Sequence, residues 1–191
     1  MPNYRRAWRP GGTFFLTLVT HQRRPLLADA FAHKALHRAI ALTRQDRPFD
    51  LIAAVLLPDH VHLVIALPPG DADLPTRVGA IKGRFSRAWL KAGRPTSGQS
   101  ASRTRQQYAA LWQKRYWEHS VRDENALIAC CDYVHYNPVK HSHAACPHGW
   151  PWSTFHRHVR SCHYPADWLC VCNGRPAPPK PPAFNEANDD V

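Results

Sequence analysis

Residues 49–68 read FDLIAAVLLPDHVHLVIALP. Two apolar runs rich in aliphatic residues, 49–58 and 60–68, meet at Pro58-Asp59. Nothing longer than a tight turn fits between them, so the stretch predicts an antiparallel hairpin. Towards the N-terminus, TFFLTLVT at 13–20 is β-branched and aromatic and reads as a further buried strand. Between them, Asp29 is a plausible helix cap. After it, Phe31, Ala35, Leu36, Ala39, Ile40 and Leu42 recur at helical spacing until Arg47-Pro48 breaks the pattern. Towards the C-terminus, LPTRVGAIKGRFSRAWLKAG (74–93) predicts a basic amphipathic helix, weakened by Gly79 and Gly83. A fourth strand is expected around Arg115–Val121. DENALIACCDYVHYN (123–137) reads as a helix opened by Asp123 and stopped by Pro138. The order is β-α-β-β-α-β-α. Its first six elements form the split βαβ pattern of an α+β, ferredoxin-like fold, an antiparallel βαββαβ sheet with helices on one face. The seventh element packs near that sheet.

The chain has 191 residues, which suits one domain with a tail. We expect the domain over residues 1–168, with a mobile loop at about 92–107 (AGRPTSGQSASRTRQQ) and a proline-rich, disordered tail over 169–191. The 25 Lys+Arg against 14 Asp+Glu give a formal charge of +11, which favours a polyanionic partner, most simply nucleic acid. No apolar run reaches the roughly 18–20 residues that span a bilayer, and the start lacks a secretory apolar core. A soluble, cytoplasmic protein is therefore expected. Six irregularly spaced cysteines then read as free thiols. Cys162, His163, Cys170 and Cys172 match no strong zinc pattern.

In a strand, residues i and i+2 share a face, about 6.6 Å apart. His60 and His62 therefore project together, while Val61 and Leu63 face the other way. Two converging imidazoles can share a divalent metal and leave coordination positions open for catalysis. The alternative is a pair of partly exposed strand histidines. On the last helix, Tyr133 and Asn137 lie four residues apart on one face, with His135 and Tyr136 pointing elsewhere. The amide oxygen of Asn137 could complete a metal site. A tyrosine phenol ionises near pH 10, so it attacks a phosphodiester only with help from a metal or a base. Tyr133 could equally be a packing residue.

PDHVHLV, LWQKRYWEHSVRDENALI, YVHYNPVKH and WPWSTFHRHV, in this order and spacing, resemble the REP-associated tyrosine transposases. These belong to the HUH superfamily of single-strand DNA nucleases. The resemblance covers roughly residues 4–168, with GGTFFLTLVTHQRRPLL fitting as well. It implies a metal-dependent single-strand DNA endonuclease and strand transferase acting at REP-like palindromic hairpins. On this resemblance His60, His62 and Asn137 are the metal ligands, Tyr133 is the nucleophile, and the cofactor is Mg²⁺ or Mn²⁺. The metal polarises a phosphate oxygen, Tyr133 retains the 5′-phosphate, and a 3′-hydroxyl is released. Hard cations prefer oxygen donors, so Mn²⁺ suits the imidazoles better than Mg²⁺. A monomer is expected rather than a homodimer. A non-cleaving hairpin-binding regulator of the same fold is the alternative, and a phosphodiesterase using water is a further one. The run NPVKHSHAACP departs from the family, which commonly continues with Gly and an apolar pair.

Strand binding is expected from three basic clusters interleaved with aromatic residues, because bases stack on rings while cations follow phosphates. They are Tyr4, Arg5, Arg6 and Arg9 with Trp8; Lys82, Arg84 and Arg87 with Phe85 and Trp89; and Arg103 with Arg105. Lys140 joins them beside the catalytic helix. Phe85 and Trp89 have core packing as their alternative. Affinity carried by phosphates should fall by orders of magnitude as salt rises.

Overall fold

The computed structural model describes residues 9–95 and 111–170. Tyr4, Arg5, Arg6, Trp8, Arg103 and Arg105, most of the predicted loop and the tail from residue 171 lie outside the described residues.

Four strands, β1 (Thr13–Val19), β2 (Asp50–Leu56), β3 (His60–Ala66) and β4 (Trp117–Val121), form one sheet in the order β2-β3-β1-β4. Every neighbouring pair is antiparallel. Helices α1 (Ala30–Asp46) and α2 (Leu74–Lys91) connect β1 to β2 and β3 to β4. This is the ferredoxin-like arrangement. Asp29, Asp73 and Asp123 cap α1, α2 and α3 (Glu124–Lys140), each carboxylate accepting from an amide three residues on.

The period-2 alternation of β1 and β3 sorts the core into two layers. Phe14, Leu16 and Leu18 with Val61, Leu63 and Ile65 pack against α1 and α2. Phe15 and Val64, joined by Ala53 and Val55 of β2, pack on the other face against Cys130, Tyr133 and Val134 of α3. Helix α3 therefore covers the sheet face opposite α1 and α2. Phe85 and Trp89 belong to the core, stacked on each other at 5.7 Å, with Trp112 edge-on to Phe85 at 5.2 Å.

Helix α3 continues through Pro138 to Lys140, which corrects the predicted stop at Pro138. A proline in the last turn gives up only its own N–H bond. The amides beyond it still find acceptors: His141 N–H donates to Asn137 O at 3.0 Å and His143 N–H to Pro138 O at 2.8 Å. The expectation of free thiols throughout is also corrected. Cys146 and Cys170 are joined as a disulfide across 24 residues of sequence. Two turns bring those sulfurs together, and spacing alone could not reveal it.

The WPWST segment protects the β2 edge. Leu56 N–H donates to Trp152 O at 2.9 Å, Trp150 Nε1 to Leu56 O at 2.9 Å and Thr154 N–H to Ala54 O at 2.9 Å. Beyond it, α4 (Phe155–Arg160) sends Arg157 to the carbonyls of Leu51 and Ile52, where β2 is bulged. A strand edge is thus covered by the same chain. At the start of the predicted loop, Arg94 pairs with Asp29 at 2.5 Å and lies 4.5 Å above the Phe31 ring and 4.7 Å from that of Trp89.

Candidate active site

β3 turns His60 and His62 onto the α3 side of the sheet, and both are buried. Their ring centroids lie 4.7 Å apart, nearly perpendicular at 78°. Each ring is oriented from behind. Asp59 Oδ1 lies 2.6 Å from His60 Nδ1, and Asp59 is itself paired with Arg23 at 3.3 Å. Burial works to raise the Asp59 carboxyl, but the hydrogen bond and charge of His60, aided by Arg23, outweigh it and hold the group below the usual carboxylate range. Thr17, directly opposite His62 on β1, places its Oγ1 3.0 Å from His62 Nδ1. With Nδ1 committed in both rings, Nε2 is the nitrogen each would offer a metal.

Burial first, and then the positive charge of His60, His141 and Lys140, push His62 well below its ordinary imidazole value, with the Asn137 amide opposing. His62 is therefore neutral, the form that ligates a metal.

Helix α3 supplies the other wall. The Tyr133 ring meets His62 edge-on at 5.4 Å and Phe15 at 5.7 Å. Asn137, one turn on, is fully buried; its amide lies close enough to His62 to oppose that lowering, yet neither Oδ1 nor Nδ2 reaches a partner with hydrogen-bond geometry among the described residues. A buried amide in that state costs about 1–3 kcal/mol, and a bound cation would satisfy the oxygen. The donor set of two imidazoles and an amide oxygen suits a borderline divalent ion such as Mn²⁺, so these residues fit the expected group. Lys140, two turns beyond Tyr133, donates from Nζ to the Tyr133 hydroxyl at 2.8 Å. His141 follows, with its ring 5.3 Å from His60.

His60, His62, Tyr133 and Asn137 are thus brought together within one chain. His135 is buried elsewhere, with Nε2 3.0 Å from Thr154 Oγ1. Sequence reasoning missed Asp59, Thr17 and His141, and it assigned Lys140 to DNA rather than to the phenol. The signals available were the Asp preceding the histidine pair and the unusual HSH run at 141–143. The residues expected to bind DNA are differently placed. Lys82 donates to Gln113 O at 2.6 Å, and burial lowers its ammonium to about 8. Arg84 bonds Thr43 Oγ1 at 2.8 Å and pairs with Asp46. Arg87 is exposed, and Arg9 reaches Val121 O at 3.3 Å.

The family model described as "Transposase IS200 like" matches residues 13–137, from the first residue of β1 to Asn137. A REP-associated tyrosine transposase of Escherichia coli strain K12 is 37% identical over 169 residues, 88% of this chain and 91% of that protein. A Haemophilus influenzae protein provisionally given the same name is 36% identical over 170 residues, 88% of this chain and 93% of that one. The solved structure of a REP-associated tyrosine transposase bound to a REP hairpin superposes with a TM-score of 0.73 at 36% identity, covering 88% of this chain and 91% of that chain.

This chain belongs to the REP-associated tyrosine transposases.

As a tyrosine transposase of the HUH superfamily, it is an enzyme of a DNA-cleaving family. The matched span of the transposase contains the histidine pair, Tyr133 and Asn137. No helix among its described residues is long and apolar enough to cross a membrane.

Proposed function

We propose that this transposase cuts and rejoins single-stranded DNA beside REP-like hairpins, with Tyr133 as nucleophile and His60, His62 and Asn137 as the ligands of Mg²⁺ or Mn²⁺. The observation that carries the reading is the meeting, in one chain, of the oriented histidine pair, the unsatisfied Asn137 amide and the Tyr133 ring. When bound, the divalent ion supplies Lewis acidity to a phosphate oxygen. Tyr133 Oη attacks phosphorus, a Tyr–O–P bond forms and the P–O3′ bond breaks; the phenol gives its proton to solvent, and the departing 3′-oxygen takes one from solvent to leave as a hydroxyl. Bond energy is kept in the phosphotyrosine, so a 3′-hydroxyl can reverse the step without a nucleotide cofactor. Lys140 stabilises negative charge on the phenolic oxygen, both when it attacks and when it leaves. The hairpin partner is supported by the related transposase solved on a REP hairpin. A monomer is supported because a single chain furnishes both walls of the site. The cytoplasm, at the nucleoid, is where such a substrate lies.

Basic side chains at the surface, among them Arg9 and Arg87, supply the phosphate contacts in this reading, with Arg5, Arg6 and Tyr4 of the N-terminal arm. Lys82 and Arg84 are more deeply engaged within the fold and shape the helix rather than lead the contact.

The test is a denaturing gel of protein mixed with a labelled single-stranded hairpin and Mn²⁺. A covalent adduct is expected from wild type and from Tyr136→Phe, and none from Tyr133→Phe. An adduct that persists in Tyr133→Phe overturns the assignment. Tight binding with no cleavage under any divalent ion means the chain is a hairpin-binding regulator instead. Turnover without any adduct means water is the nucleophile.

A further inference from the structure

Away from the active site, a second set of metal-binding side chains converges. Cys146, His148 and Cys170 each offer a ligand atom, and these atoms lie within 4.8 Å of one another. Both cysteines are buried and the histidine is exposed. The local backbone produces the convergence. Cys146 opens a tight 3₁₀ turn, Pro147–Gly149, closed by Gly149 N–H donating to Cys146 O at 3.0 Å. The chain reverses there, so the Cys-x-His pair points one way. From the other side, Leu169 adopts φ 50°, a left-handed conformation rarely used by a branched residue, and Cys170 N–H closes a turn on Asp167 O at 3.0 Å.

We infer that Cys146, His148 and Cys170 form a structural zinc site that fastens the loop after α3 to the C-terminal segment. Two thiolates and an imidazole are the donor set of structural zinc, and four-coordinate closure needs one ligand more. Cys172 follows Cys170 in a Cys-x-Cys spacing and lies outside the described residues. Water fills the fourth position in this reading. In this structure those two sulfurs are joined as a disulfide, and the exposed His148 stands beside the bond as a third donor. The inference rests on the DNA-directed reading in one respect. Work on intracellular DNA puts the chain in a reducing medium, where disulfides do not persist and zinc thiolates do. Starting from the disulfide, a cellular dithiol supplies two electrons and two protons. The two thiols formed then lose their protons to solvent as zinc binds, with no further redox change.

The experiment uses the full chain, purified under reducing conditions without chelator. Zinc is measured by elemental analysis, and cobalt substitution is followed by absorption. One zinc per chain is expected, with the sulfur-to-cobalt charge-transfer bands of thiolate coordination. Zinc content should fall from one to none in Cys146→Ser/Cys170→Ser and drop clearly in His148→Ala. It should stay at one in Cys162→Ser. If the double variant fails to fold, His148→Ala still decides, because that side chain is exposed. Zinc retained by the double variant and lost in His60→Ala/His62→Ala assigns the ion to the active site and overturns the inference. So does a metal-free chain holding an intact Cys146–Cys170 disulfide under reductant. The readout is independent of cleavage, so an inactive chain that binds zinc refutes only the proposed function.

Discussion

Replacing Lys140 by methionine keeps most of the side-chain length and removes the ammonium that meets the Tyr133 hydroxyl at 2.8 Å. A hydrogen bond to a charged partner is worth roughly 1.5–3 kcal/mol. Lys140 is exposed, so solvent screening cuts that to about 1 kcal/mol, which corresponds to about a 5-fold slower cleavage. Part of the gain in phenolate population is offset by weaker nucleophilicity, so rejoining, where the phenolate leaves, should suffer at least as much as cleavage. The assay is single-turnover formation of the covalent adduct on a hairpin oligonucleotide with Mn²⁺, alongside its reversal by a strand bearing a 3′-hydroxyl. Binding of the uncut hairpin should change little. A Lys140→Met variant with wild-type rates refutes the reasoning. A loss that appears wholly in binding returns Lys140 to the role of a phosphate contact.

Asp59→Asn removes the charged partner of His60 Nδ1 at 2.6 Å and should weaken Mn²⁺ binding about 10–100-fold, as loss of such outer partners commonly does; titration followed by electron paramagnetic resonance measures it. Acidification should destabilise the fold through buried neutral histidines. Burial, with the charges of His158, Arg157 and His156, lowers His135 from 6.5 to about 3, and His62 is lowered in the same direction. The unfolded chain therefore binds more protons below about pH 6.5, and stability present above that value is lost as pH falls towards the folded values. At pH 5 the loss is about 2 kcal/mol for His135, and His62 adds to it in the same direction. Urea unfolding at pH 7 and pH 5 measures it, and His135→Gln should flatten the dependence.

What could be read from the sequence was set by short-range periodicity. The strand repeat put His60 and His62 together, the helix repeat put Tyr133 and Asn137 together, and the Pro58-Asp59 turn fixed the hairpin. Contacts that depend on tertiary neighbours stayed hidden. Thr17 faces His62 only because β1 and β3 pair in the register Thr17↔His62. Asp59 looks like an ordinary turn residue until His60 is seen to bond it. Lys140 was placed beyond a proline taken as the helix end, so its alignment with Tyr133 went unseen. The cations of α2 were read as a DNA-facing stripe, yet Lys82 and Arg84 find carbonyl, hydroxyl and carboxylate partners inside the fold. A charge pattern says that cations are present but does not reveal which already have acceptors.

The sheet divides its two faces between stability and chemistry. A one-residue slip of β3 would turn Val61, Leu63 and Ile65 out of the α1–α2 core and carry His60 and His62 in. The apolar set therefore enforces the register that aims the imidazoles, so the side carrying the proposed site inherits its precision from the opposite face. Helix α3 has both tasks at once, burying Phe15, Val55 and Val64 while presenting Tyr133. It cannot lift to admit a strand without uncovering that layer. Tyr133 is itself buried, whereas Lys140 and His141 at the end of the helix are exposed. In the proposed reaction a single strand must then reach the phenol from that end of α3, passing the two cationic or ionisable side chains before it meets the nucleophile.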